Sequence, residues 1–227
     1  MSKYKSNKNK WPVIRAIKSI ATITLLLTIM MTLISFLSNG DRRVAVPDSQ
    51  RQPGLSQQVK DYRPMVEKHL KEVGKLEYTS VVLSLMMQES TGRGNDPMQA
   101  SESYCGEVGC IDNPELSIKQ GVSYFNRVLD KANGDVRLAL QSYNFGEGFI
   151  AYVNERGGRY TEDLAIDFSA KMYQKLKHKG IYSCIREEAN QYNACYGDIL
   201  YVQAVLNYYP DALSYVDNEV VQVALDN

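Results

Sequence analysis

The stretch from Tyr78 to Glu89 sets Val82, Leu85, Met86 and Glu89 at i, i+3, i+4 and i+7, which is one face of a helix. Three apolar side chains and a carboxylate on one stripe leave few folds open. The apolar three must point into a core, and core burial penalises the charge that follows them. A carboxyl held at the edge of an apolar stripe has its pKa raised, because desolvation disfavours the charged form. A carboxyl that stays neutral near neutral pH can give a proton to a leaving group. Gly92 and Gly94 come next, so the helix is expected to stop there and to leave Glu89 at its mouth. The pattern alone also fits a glutamate that ends a helix with its head in solvent.

Helical periodicity continues along the chain. It predicts helices over 57–72, 77–89, 116–132, 135–143, 147–155, 162–177 and 199–208. Turn signals separate them at Gly74, the Gly92–Pro97 stretch, Asn133-Gly134, Gly146, Gly157-Gly158, Gly180 and Gly197. Alternating, β-branched strand patterns are nearly absent, so the fold class is mainly α, with a short hairpin after Gly92 left open. Residues 209–227 are acidic with scattered valines and read as a final helix or a loose tail.

The 227 residues are 44% hydrophobic and 23% charged, which suits one globular domain with an attached segment. A formal net charge of zero hides an asymmetry. Residues 1–40 carry Lys3, Lys5, Lys8, Lys10, Arg15 and Lys18 and no acid, so the remaining 20 basic and 26 acidic residues leave the rest at −6. An acidic domain argues against a nucleic-acid binder, which needs a basic face. The basic head precedes an uncharged apolar run over residues 20–37, about 27 Å long as a helix and close to a bilayer core. The expected organisation is a cytoplasmic basic tail over 1–19, a transmembrane anchor over 20–37 and a linker over 38–56 containing Pro47, Pro53 and Gly54. A helical domain over 57–210 outside the cell and a C-terminal tail over 211–227 follow. A signal peptide cleaved near Ser38-Asn39-Gly40, releasing a secreted domain, is the rival reading.

Cys105, Cys110, Cys184 and Cys195 are an even set in a domain expected to be exported, which suggests disulfides. Local pairing, Cys105 with Cys110 and Cys184 with Cys195, closes short loops and is the expected arrangement among three possible ones. The spacings lack the form of zinc sites, so no metal site is expected. His69 and His178 are the only histidines and are expected at the surface.

Three segments stand out together: Gln88-Glu89-Ser90 at a helix end, Asp96-Pro97-Met98-Gln99-Ala100-Ser101-Glu102-Ser103, and Leu140-Gln141-Ser142-Tyr143-Asn144-Phe145-Gly146. In order and type they resemble the lysozyme-like superfamily of goose-type lysozymes and soluble lytic transglycosylases. There an acidic "ES" helix end is followed by a "GLMQ"-type turn and an "AYNAG"-type segment. The resemblance is closer to the bacterial lysozyme-like domain of Gram-positive conjugative elements, which is often fused to a peptidase. Ser117–Phe125, Gly157–Thr161, Phe168-Ser169 and Tyr196–Leu206 carry the longer matches, and the resemblance covers roughly residues 57–208. Two departures stand out. No fused peptidase is expected, since too few residues follow position 210, and the cysteine loops 104–113 and 181–197 lie outside the family pattern.

The resemblance implies a mainly α, lysozyme-like helical domain, which would stand behind the N-terminal transmembrane helix expected from the apolar run. It implies an enzyme that cuts the β-1,4 bond between N-acetylmuramic acid and N-acetylglucosamine in peptidoglycan glycan strands, with Glu89 as the acid and no metal or cofactor. It also points to the conjugative secretion machinery as a partner. Breaking a glycosidic bond needs an acid beside the leaving oxygen. Gln99 and Asn144 can each donate and accept hydrogen bonds to sugar hydroxyls and acetamido groups, or can equally serve as turn-forming groups. Tyr143 and Tyr160 can flank the acid or stack on a sugar ring, and Ser90 completes the expected substrate-binding set. A hydrolase also needs a second carboxylate. Glu102 is the chosen candidate, ahead of Asp96 and Asp112, and a lytic transglycosylase would need none. The alternative class is a non-catalytic peptidoglycan-binding or assembly module. A redox or metal protein built on the four cysteines would require free thiols.

Overall fold

The computed structural model describes residues 54–216, together with Met30. The expected basic tail, the apolar anchor and most of the linker lie outside the described residues, as does the chain beyond residue 216. Within 54–216 there are ten α-helices, three 3-10 turns and no strand. The segment after Gly92 is a run of turns rather than a hairpin. No helix among the described residues is long and apolar enough to cross a membrane.

The helix expected over 57–72 is two helices, α1 (Gln57–Asp61) and α2 (Arg63–Glu72), which break at Tyr62. Pro64 explains the break. In the first turn of α2 its missing N–H would be unpaired anyway, whereas inside one long helix it would clash and cost a hydrogen bond. Next come α3 (Thr79–Ser90), the short α4 (Ser101–Cys105), α5 (Pro114–Lys131), α6 (Val136–Phe145), α7 (Gly148–Asn154) and α8 (Glu162–Leu176). The last two helices are α9 (Tyr201–Leu206) and α10 (Tyr209–Val216). Side-chain caps set several of these starts. Asn113 accepts from the amides of Glu115 (2.8 Å) and Leu116 (3.1 Å), Asp135 from Leu138 (2.9 Å), and Thr161 from Leu164 (3.2 Å).

The centre of the fold is α3. Every residue from Thr79 to Met86 is buried, on all sides of the helix and not on one stripe. A helix that is buried all round must sit inside a ring of partners. Here α2, α9 and α10 pack against it, while α5 pairs with α2 and α6, and α6 carries α7 and α9 on its flanks.

One sequence expectation is corrected. His69 is not at the surface: it is 5% exposed, because Val66, His69 and Leu70 share the inner face of α2. Its Nδ1 lies 2.9 Å from Glu72 Oε2. Of the two readings left open for residues 209–227, the described part takes the helical one: residues 209–216 form α10 against α3. Asp211 accepts from the Leu55 amide at 2.8 Å, and Arg63 donates to the carbonyls of Tyr215 (2.9 Å) and Val216 (3.2 Å), the kind of cation that satisfies a helix C-terminus.

Both disulfides join the expected neighbours, Cys105 to Cys110 and Cys184 to Cys195, and no cysteine is free.

Candidate active site

Glu89 is the second-last residue of α3, just past the fully buried turns. The helix ends because Thr91 takes a left-handed conformation, with φ 58°. The Ser90 hydroxyl accepts the Gly92 amide (3.0 Å) and donates to the Pro97 carbonyl (2.7 Å), which ties the helix end to the loop that follows. Glu89 is thereby held with its carboxyl at the mouth of a core. Burial pushes its pKa up to about 7, offset in part by a hydrogen bond that the Tyr201 hydroxyl donates to Oε1. The nearby charges of Asp96 and Asp198 add to the rise. Tyr201 stands on the first turn of α9 and is itself buried. Burial and the Glu89 charge keep its phenol protonated.

Asp96 organises the loop between α3 and α4. One of its oxygens accepts from the Ala100 amide (2.9 Å) and the Ser117 hydroxyl (2.6 Å), and the other from the Ser101 amide (3.0 Å) and hydroxyl (2.6 Å). Burial alone would raise its pKa, but these four bonds outweigh it and hold the group below the usual carboxylate range. All of its acceptor sites are filled, so Asp96 acts as a fixed negative charge and is not free to serve as a base. Ser117 also accepts the Met98 amide at 3.0 Å. Gly121, one turn along α5, lets Met98 lie directly on the helix: a Cβ there would sit 2.5 Å from Met98 Cβ.

The third element is the end of α6. Tyr143 donates to the Met98 carbonyl at 2.8 Å, so its hydroxyl is committed to the loop. Asn144 Oδ1 accepts the Asp198 amide at 2.8 Å. That contact orients the side-chain amide and leaves its N–H donors free. Gly197 permits it, since a Cβ there would meet Asn144 Oδ1 at 2.6 Å and its φ is +63°. Asp198 is 4% exposed and is gripped by the Arg186 guanidinium at 2.6 Å to each oxygen.

These elements enclose a cleft of about 200 Å³, lined by Glu89, Asp96, Gln99, Ser101, Glu102, Val108, Tyr143 and Asn144. Five of the expected site residues therefore meet in one place: Glu89, Gln99, Glu102, Tyr143 and Asn144. Gln99 is exposed, with φ 48°, and donates to the Asp96 carbonyl at 2.9 Å, which leaves its own carbonyl oxygen unengaged on that side. Glu102 is exposed on α4. The other two expected residues stand apart from the lining. Ser90 is spent on the helix end, and the Tyr160 ring packs edge-on against Phe149 at 6.4 Å between centroids. Asp198, Arg186 and Tyr201 were missed. Tyr201 and Asp198 lie in the Tyr196–Leu206 segment, where the one signal for a role is an acid directly after Gly197 in an otherwise apolar run.

A family model described as Lysozyme-like matches residues 56–209, most of the chain. The chain belongs to the lysozyme-like family. The relatives of this lysozyme-like domain include the bifunctional muramidase/DL-endopeptidase CwlT of Bacillus subtilis (strain 168), 35% identical over 204 residues, which are 89% of this chain and 57% of CwlT. YocA of the same strain, an uncharacterized membrane protein, is 43% identical over 149 residues, 64% of this chain and 65% of YocA. A crystal structure from Staphylococcus aureus described as similar to lipoprotein, NLP/P60 family, superposes with a TM-score of 0.59. It is 37% identical and covers 69% of this chain and 54% of that one. The chain spans less than two thirds of the length of each of these three proteins.

Proposed function

We propose that the protein is a peptidoglycan-cleaving glycosidase that cuts the β-1,4 bond between N-acetylmuramic acid and N-acetylglucosamine. The observation that carries this reading is a half-buried carboxyl whose pKa is pushed up to about 7, opening into a cleft lined with amide side chains. The proton on Glu89 passes to the bridging oxygen as the glycosidic bond breaks. The free N–H donors of Asn144 suit a sugar carbonyl or hydroxyl oxygen, and the Gln99 carbonyl suits a hydroxyl or an acetamido N–H. With the Asp96 oxygens saturated, Glu102 is the lining carboxylate left to act on water, which makes a hydrolase of the muramidase type the favoured form. The muramidase named among the relatives supports this choice.

The basic head and apolar run over residues 1–37 support a retained single-pass anchor, with the N-terminus in the cytoplasm and the enzyme outside, where the cut stays local to the membrane. On the resemblance to conjugation-associated enzymes, the cut would open the wall for a secretion or DNA-transfer apparatus.

The test is incubation of the full chain and its Glu89→Gln variant with purified peptidoglycan, with products read by mass spectrometry. Reducing-end muropeptides from the wild type alone are expected. Anhydro-muropeptides, lighter by one water, would replace hydrolysis with transglycosylation. Equal cleavage by both proteins would remove Glu89 from the mechanism.

A further inference from the structure

The segment from Ile181 to Gly197 is closed by the Cys184–Cys195 disulfide. Much of it faces solvent, including Ile181 at 71% and Ile185 at 64% exposed. Arg186, next to Ile185, turns the other way. It makes a two-pronged ion pair with Asp198, at 2.6 Å from Nε to Oδ1 and 2.6 Å from its second nitrogen to Oδ2. A fork of this kind fixes the carboxylate's orientation as well as its charge.

Asp198 is a junction. Its amide holds Asn144 Oδ1 (2.8 Å), and its carbonyl accepts from the buried Gln141 side chain (2.8 Å). The same carbonyl accepts the Tyr201 amide at 3.2 Å, and Oδ1 accepts the Leu200 amide at 2.9 Å. Tyr201, three residues further on, donates to Glu89. Two parts of the site, the donor-presenting Asn144 and the phenol on the acid, therefore hang on the backbone of one buried residue, whose carboxylate is held by Arg186.

We propose that Arg186 is a positioning residue for the Glu89 acid: carried on the Cys184–Cys195 loop, it fixes Asp198, which aligns Asn144 and delivers Tyr201 to Glu89. The inference rests on the reading of Glu89 as the acid and adds a charged residue, supplied by a disulfide-closed loop, that governs when that acid holds its proton. The groups that face Glu89 are Asp96 from the loop after α3, Asp198 from the segment before α9, Tyr143 from α6 and Tyr201 from α9. Glu102 joins them from α4 in the same cleft. All are neutral or anionic. Arg186, paired with Asp198, opposes the rise that the Asp198 charge imposes on Glu89. Without Arg186 the bare Asp198 anion makes Glu89 harder to ionise. Without the Asp198 charge the uncancelled Arg186 makes it easier.

The experiment titrates the Glu89 carboxyl by carbon NMR in the full chain with labelled glutamate, assigned by difference from Glu89→Gln, and follows the pH profile of peptidoglycan cleavage in parallel. Arg186→Ala is expected to move the Glu89 midpoint and the alkaline limb of kcat/KM up by about half to one pH unit, and Asp198→Asn to move both down. Arg186→Lys, which keeps the charge and loses the fork, should leave the midpoint near wild type. A purely structural role would lower the melting temperature and leave the midpoint in place. Folded Arg186→Ala with an unmoved midpoint, or shifts of the same sign in both variants, would overturn the proposal. If Arg186→Ala fails to fold, Asp198→Asn decides alone, a downward shift supporting and no shift refuting. The Cys184→Ser/Cys195→Ser pair should follow Arg186→Ala, and a wild-type midpoint there would refute the role of the loop. A wild type that titrates as expected but cleaves nothing would sink the proposed activity and not the coupling, so the two failures are distinguishable.

Discussion

Replacing Glu89 with glutamine should make the protein more stable, and the gain should depend on pH in a way that only a raised carboxyl pKa explains. The amide keeps the shape of the side chain and an oxygen for the Tyr201 hydroxyl, so the substitution removes the ionisation and little else. The carboxyl titrates at about 4.5 in the unfolded chain and at about 7 in the folded one. Between those values the folded state binds more protons than the unfolded state, so wild-type stability falls as pH rises through that window. Below pH 4 the group is neutral in both states and exerts no such pull. Above pH 8 the folded protein holds a charge that it disfavours, at a cost of roughly 2–3 kcal/mol once the opening of the carboxyl to the cleft is allowed for. Glu89→Gln should thus match the wild type near pH 4 and exceed it by that amount at pH 8, about 5–10 °C in melting temperature. Urea and thermal unfolding of the full chain at pH 4, 6 and 8 measure the difference. A stability difference that stays constant from pH 4 to pH 8 would refute the reasoning, because it would mean that Glu89 titrates in the folded state as it does in the unfolded one.

Tyr201→Phe removes the donor that stabilises the ionised Glu89. The Glu89 midpoint should rise above about 7 by roughly one to two pH units, the weight of a charge-assisted hydrogen bond, and the alkaline limb of the cleavage profile should rise with it. A profile that stays put would show that the phenol does not touch the working acid. Gly121→Ala drives a methyl group to within 2.5 Å of Met98 Cβ and 2.8 Å of Met98 Cε. The loop bearing Asp96 and Gln99 must give way, at a cost of about 1–3 kcal/mol in thermal unfolding, with cleavage falling further than stability. A wild-type melt and wild-type activity together would show that Met98 can move freely.

Much of the site was legible because its residues lie close to helix ends, where local pattern speaks loudest. The 3.6-residue spacing of Val82, Leu85, Met86 and Glu89 already implied a carboxyl at the rim of a core, and the turn residues bracketed seven helical stretches, one of which proved to be two helices. The errors have local causes. Pro64 splits one expected helix in two, and the five-residue α4 is too short to show a period. His69 was read as a surface residue because one histidine in a polar stretch carries no periodic signal, although its spacing from Val66 and Leu70 put it on the inner face. The pairing of neighbouring cysteines followed from short separations and an even count. What stayed out of reach was the network behind the acid: Arg186, Asp198 and Tyr201 lie 97 to 112 positions from Glu89, and no helical or turn periodicity relates residues so far apart.

By itself, then, the sequence determined most of the longer helices, roughly where they stop, and that a carboxyl would be left at the end of an apolar one. These outcomes depend on spacing and backbone preference, which act over a few residues. The tertiary structure alone decided what that carboxyl would experience. Burial raises its affinity for a proton most, Tyr201 lowers it, and Asp96 and Asp198 add to the rise, each of the three brought to Glu89 by a different part of the chain. Asp96 is excluded as a base by bonds from Ala100, Ser101 and Ser117, while Ser90 and Tyr160 are drawn into packing and Gln99 and Asn144 are left facing the cleft. Electrostatic coupling and burial are properties of distance in space, and only the packing of α6, α9 and the two loops around α3 sets those distances.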